Sequence, residues 1–120
     1  MYKEISIPIK NYFLVEKNKI LKLFDSYLNH CKENNVQVII VFAPMYFKVT
    51  DFTKGKDEVM NIFKSFSEKY DIPLLDYSTD PIVYDTTYFY QATHLNTIGT
   101  NLFTVQLAHD IDSLGIFKKN

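Results

Sequence analysis

"VQVIIVFAPMYF", residues 36–47, is the stretch whose reading decides the fold. It is an unbroken apolar run with β-branched residues at its centre and Pro44 near its end, and it is too short to span a bilayer. The run predicts a strand from Val36 to Ala43. Because its apolar character is continuous rather than alternating, the strand is expected to be parallel and covered on both faces.

The neighbours on either side agree with that reading. Residues 14–34 place Ile20, Phe24, Tyr27, Leu28 and Cys31 at helical spacing among Lys, Glu and Asn, and Asn34-Asn35 stops the helix just before the strand. After a polar loop expected around residues 48–55, Val59, Ile62, Phe63, Phe66 and Tyr70 mark a second helix closed by Asp71 and Pro73. A second strand is predicted over Ile72–Ser78, followed by a long irregular connection, "TDPIVYDTTYFYQAT". Tyr- and Thr-rich loops of this kind often carry sites. Asn96 then suits the N-cap of a third helix bearing Ile98, Leu102, Phe103, Leu107, Ile111 and Leu114, with Gly115 as its C′ residue.

Helices and strands in this order predict an α/β domain, a short parallel sheet in a three-layer α/β/α arrangement. The sheet has two strands, or three if "YKEISIPI" near the start also pairs. That is thin for strands buried on both faces. Either a second copy of the chain or a partner chain is therefore expected to cover a sheet edge, or the sheet once had more strands.

Composition narrows the classes of function. The 120 residues suit a single domain over 1–120, with 47% hydrophobic and 22% charged residues, and such a chain should fold. Thirteen basic against fourteen acidic residues give a net charge of −1 with the lysines scattered, which leaves no footprint for nucleic acid or an anionic membrane. The start, "MYKEISIPIK", has no apolar core of a signal peptide, so the chain as written is expected in the cytoplasm. Cys31 stands alone, which excludes an internal disulfide and a cysteine cluster, and it is read as a structural thiol. No metal-ligand spacing of His or Cys and no glycine-rich phosphate loop occurs, so no cofactor or metal is expected.

The chemistry-bearing residues gather in "FYQATHLNTIG", residues 89–99, where His94 stands at a loop-to-helix junction. Over residues 15–112 the chain resembles the C-terminal half of the SGNH/GDSL hydrolases, flavodoxin-like esterases and acyl-transfer enzymes. The resemblance rests on "CKENN", "VQVIIVFAP", "KYDIPLLDYS" and "FYQATHLNTIGTNLFTVQLAHDI". In the family the last segment carries an Asp-x-x-His pair, Leu-Asn, a Gly three residues on, and a helix with Phe and Leu. His94, Leu95, Asn96, Gly99, Phe103 and Leu107 stand in those places.

The resemblance implies a parent activity of serine-dependent hydrolysis or transfer of acyl esters, carbohydrate esters among them, with His94 as general base. Two departures limit it. Gln91 replaces the family aspartate, and the Gly-Asp-Ser nucleophile motif and the oxyanion-hole motifs are absent from the sequence. A lost carboxylate partner can cost about 10⁴ in kcat, whereas a lost nucleophile removes the covalent route. The chain is thus expected to be a fragment or a catalytically incompetent relative.

Other readings stay beside this one. Asp85 could restore a carboxylate to His94 if the Tyr-rich loop folds back, against an ordinary turn role in "YDTT". Ser78 could replace the nucleophile only with a sharp turn and an oxyanion hole that its neighbours do not suggest. His109-Asp110 lies on the last helix, where adjacent positions point in different directions, so no His–Asp dyad is expected there. Asn96 is read as a helix cap and Gly99 as a close-packing position. The alternative function is a non-enzymatic interaction module that docks a partner through an open sheet edge and an aromatic loop.

Overall fold

A computed structural model describes residues 9–52 and 55–117, with side chains from Lys17 to Val49 and from Gly55 to Phe117. The segment "YKEISIPI", read as a further strand, lies outside the described residues except for Ile9, which opens the first helix.

Helix α1 runs over Ile9–Glu33, five residues earlier at its start than the apolar spacing from residue 14 suggests. It ends where expected. Asn35 turns left-handed at φ 56°, and the Val36 N–H donates to Cys31 O at 2.8 Å, closing the last turn. Strand β1 follows at Ile40–Phe42. After it comes a short helix α2, Phe47–Phe52, in place of the first part of the loop expected at 48–55. Local composition there is polar, but the ring of Phe47 is held between Tyr46 and Tyr84 at centroid distances of 5.1 and 5.2 Å. Tertiary contacts outweigh a weak propensity.

Helix α3, Lys56–Tyr70, has Asp57 and Glu58 in its first turn and Lys69 in its last, the arrangement its macrodipole favours. Asp71, left-handed at φ 51°, closes it, and strand β2 follows at Leu74–Asp76. The two strands pair in parallel, Ile40 with Leu74, Val41 with Leu75 and Phe42 with Asp76. The chain is thus a small mixed α/β fold.

Both strands are shorter than the expected Val36–Ala43 and Ile72–Ser78, for a reason visible in the ladder. The Ile40 N–H reaches Pro73 O at 2.9 Å, but Pro73 has no N–H to return, so pairing cannot extend backwards from there. At the other end the Ser78 N–H turns onto the Asp76 carboxylate at 2.9 Å and leaves the strand direction.

The connection expected to be irregular is largely structured. Two 3₁₀ turns, Pro81–Tyr84 and Thr86–Tyr88, are each started by an aspartate whose side chain accepts a backbone N–H, Asp80 from Ile82 and Asp85 from Thr87. A hairpin then joins β3, Phe89–Gln91, to β4, His94–Leu95. Helix α4, Thr97–Ser113, completes the described chain, with Gly115 left-handed at φ 70° just beyond its C-cap Leu114.

The core is small. Phe24 of α1 meets Phe63 and Phe66 of α3 edge-on at 6.0 and 5.0 Å, with a Lys17–Glu58 ion pair beside them. Tyr77, just past β2, packs edge-on against Phe103 of α4 at 4.9 Å, and its hydroxyl donates to Asp110 at 2.7 Å. Among the described residues the buried apolar side chains are Leu28, Cys31, Met60, Tyr77, Ile82 and Val83, with Pro44 at the end of β1. Thirteen large ones remain more than a third exposed. Helix α4 is apolar on more than one side: Phe103, Leu107 and Ile111 are half-buried, while Ile98, Leu102 and Val105 face outward. A helix of that kind normally lies between two layers.

No described helix is long and apolar enough to cross a membrane.

Candidate functional site

Site residues sit at the carboxyl end of the parallel pair, where ligands bind in open α/β sheets. The chain leaving β1 is tied to the β3–β4 hairpin by the Tyr46 N–H, which donates to Ala92 O at 2.9 Å, and by the ring of Tyr46 against Phe89 at 5.8 Å. The hairpin carries His94, so the imidazole is delivered to that end of the sheet.

Gln91 and His94 flank the two-residue turn Ala92-Thr93 and are cross-strand partners. Residues directly opposite in an antiparallel pair have Cβ atoms about 4.5–5.5 Å apart on one face. A spacing of three between a hydrogen-bond acceptor and a histidine therefore has a geometric cause here: the turn brings the two side chains alongside each other. The hydrogen bond that His94 makes is with its other neighbour, Thr93, whose Oγ1 lies 2.9 Å from Nδ1. When Nδ1–H donates to that hydroxyl, Nε2 keeps its lone pair and can accept a proton. A hydroxyl supplies no negative charge to stabilise the imidazolium that follows.

Below the hairpin the start of α4 is clamped by Asn96. Its side-chain oxygen accepts the Gly99 N–H at 2.9 Å, its Nδ2 donates to Thr87 O at 2.7 Å, and its backbone N–H donates to Tyr88 O at 2.9 Å. Gly99 is buried against the same residue. A Cβ there would lie 2.2 Å from Tyr88 O and 3.0 Å from Leu95 Cδ2, so only glycine fits. Its close approach is to the backbone of the second 3₁₀ turn.

Asp85 does not serve His94 in this arrangement. Its Oδ1 accepts from the Thr87 hydroxyl at 2.7 Å and the Thr87 N–H at 2.9 Å, and those bonds hold its carboxyl below the usual carboxylate range. That is the turn role weighed for "YDTT". Ser78 is buried at the end of β2, with its N–H on Asp76. His109 Nδ1 lies 3.8 Å from Asp110, whose other oxygen takes the Tyr77 hydroxyl.

Burial and the Asp110 carboxylate push the Tyr77 phenol up to about 12. The described residues contain no cluster of three His, Cys, Asp or Glu side chains placed to hold a metal ion.

Thr93 and the Tyr46–Ala92 bond were not foreseen from the residues. The turn "AT" has neither the Asn-Gly nor the Asp-Gly signal of a two-residue hairpin, and nothing local marks a bond spanning residues 46 and 92. No known protein family, no curated protein and no solved structure matches the chain.

Proposed function

We propose that the chain is the C-terminal half of an SGNH/GDSL-type domain, a partial three-layer α/β/α fold of the flavodoxin-like kind. Its parent chemistry is serine-dependent hydrolysis or transfer of acyl esters, with His94 in the position of the general base. The observation that carries this reading is the placement of His94: a hairpin tied to the end of β1 through Tyr46 and Ala92 holds an exposed imidazole at the carboxyl end of a parallel pair. Gln91 opposite His94 occupies the place where a carboxylate would orient and charge-balance the ring. On this reading the chain by itself does no acyl transfer, because its sequence carries neither the Gly-Asp-Ser nucleophile motif nor the oxyanion-hole motifs.

The test is to incubate the 120-residue chain with a fluorophosphonate probe and a short-chain p-nitrophenyl ester, beside His94→Ala. Silence in both is expected. Serine labelling and ester turnover that vanish in His94→Ala would overturn the incompetence. The family reading itself is tested by the coding sequence upstream of Met1, in which a Gly-Asp-Ser-type segment is expected and whose absence would count against it.

A second reading is favoured by one observation, an edge of β1 that no other described strand covers. On that reading the chain is a non-enzymatic module that docks another polypeptide there.

A further inference from the structure

The edge of β1 that no other described strand uses has a specific chemistry. Ile40 and Phe42 spend their backbone groups on β2, through Ile40 N–H to Pro73 O at 2.9 Å and Tyr77 N–H to Phe42 O at 3.0 Å. Because a strand alternates, Val41 between them turns its N–H and C=O to the opposite side. Among the described residues no backbone bond meets Val41 there.

Along this edge runs an apolar groove of about 680 Å³, walled by Phe24, Tyr27 and Leu28 of α1, residues 38–45, Phe63 and Thr93. A lipid or acyl chain could fill its volume but could not satisfy the outward N–H and C=O of Val41. A polypeptide strand can.

We propose that the strand is β1 of a second copy, paired antiparallel about a twofold axis through Val41. Three observations favour the chain itself as partner. An isologous contact brings each residue against its counterpart, Val41 opposite Val41 and Ile39 opposite Ala43, and residues 36–47 contain no charged side chain to be set against its own image. β2, by contrast, ends in Asp76, so the same operation at its edge would oppose two carboxylates.

Val41 is also left 38% exposed, with no lysine, proline or bulge at the strand centre of the kind that protects natural edges. Finally, α1 carries an exposed stripe of Ile20, Leu23 and Tyr27, 62%, 71% and 62% open, at helical spacing; it extends from the groove wall at Tyr27. Pairing of the strands would add Val41 and the walls of the groove to that stripe. Strand, groove and stripe together offer less than the roughly 800 Å² per partner of a standard interface, so the dimer is a weak one that dissociates on dilution. The proposal needs neither catalysis by His94 nor a foreign partner, and so goes beyond both readings above.

The mass of the 120-residue chain should be measured by light scattering across a dilution series centred near about 10 µM, together with Val41→Pro and Val41→Lys. Proline removes the outward N–H without touching a β1–β2 bond, and lysine sets like charges at the twofold. The expected result is a wild-type dimer that dissociates on dilution, and variants that are monomeric at every concentration with the wild-type circular dichroism. If proline disturbs the fold, the lysine variant decides. A wild-type chain that is monomeric up to about 100 µM, or a folded Val41→Lys that remains dimeric, would overturn the proposal.

Discussion

Replacing Gly99 by alanine sets two calculable effects against each other. Gly99 lies in the first turn of α4, where alanine is worth up to about 1 kcal/mol in intrinsic helix propensity. Against that gain, the new methyl would lie 2.2 Å from Tyr88 O and 3.0 Å from both Leu95 Cδ2 and Tyr88 Cβ. The closest of these is backbone, which cannot swing away as a side-chain tip could. Moving it also stretches the 2.9 Å bond that Tyr88 O accepts from the Asn96 N–H, a further loss of about 1 kcal/mol. Overpacking of this kind costs typically 1–3 kcal/mol, so the clash outweighs the propensity, and a net loss of about 1–3 kcal/mol is expected. For a chain of this size that lowers Tm by roughly 4–12 °C. Asn101→Ala, an exposed change two residues along the same helix, gives the propensity gain without the contact and should leave Tm unchanged or slightly raised. A Gly99→Ala chain as stable as Asn101→Ala would refute the close packing of α4 on Tyr88.

Other perturbations read other contacts. Asn96→Ala removes an N-cap and the bond to Thr87 O and should cost about 1–2 kcal/mol, with faster amide exchange at Gly99 as its local signature. Tyr77→Phe keeps the ring on Phe103 but loses the hydroxyl bond to Asp110; a loss of about 1.5–3 kcal/mol in urea unfolding is expected. The Tyr77 phenol is raised from 10.0 to about 12, so its contribution is complete below pH 10 and is lost as pH rises towards 12. Alkaline unfolding followed by circular dichroism should show that limb, and Tyr77→Phe should flatten it. Asp25 has its carboxyl lowered by hydrogen bonds from Lys69 and Tyr70, so its contribution is present above the ordinary carboxylate range and fades as pH falls through the lowered value. Asp25→Asn should make the acid limb of the stability curve shallower.

The parts of the fold legible in the sequence are those fixed locally. Asn35 and Asp71 stop their helices by turning left-handed, Asn96 starts one with its side chain, and Gly115 ends it, each a choice made within a few residues. Strand length was not legible. The apolar run 36–43 shows burial, but only Pro73, far along the chain, limits how much of it can pair. The short helix over Phe47–Phe52 was missed for the same kind of reason, since it depends on Tyr84 holding Phe47. At the site, His94 and Asn96 could be singled out by type and position, whereas Thr93 as the imidazole's neighbour depends on a turn with no recognisable signal.

On the proposed reading, the hairpin also changes how the glutamine at position 91 weighs. Since Gln91 and His94 are cross-strand partners across a two-residue turn, any acceptor at position 91 is brought beside the imidazole by backbone geometry alone. Gln91→Asp should therefore restore a carboxylate where the ring can use it, without rearrangement of the loop, whereas Asp85 could reach the same ring only by giving up Thr87 and its 3₁₀ turn. On the proposed reading, ester turnover by the isolated Gln91→Asp chain would still be absent, because the sequence carries no Gly-Asp-Ser-type nucleophile motif. Turnover gained by that single change, and lost again with His94→Ala, would reverse the order of the two defects: the carboxylate, and not the serine, would be what the chain lacks.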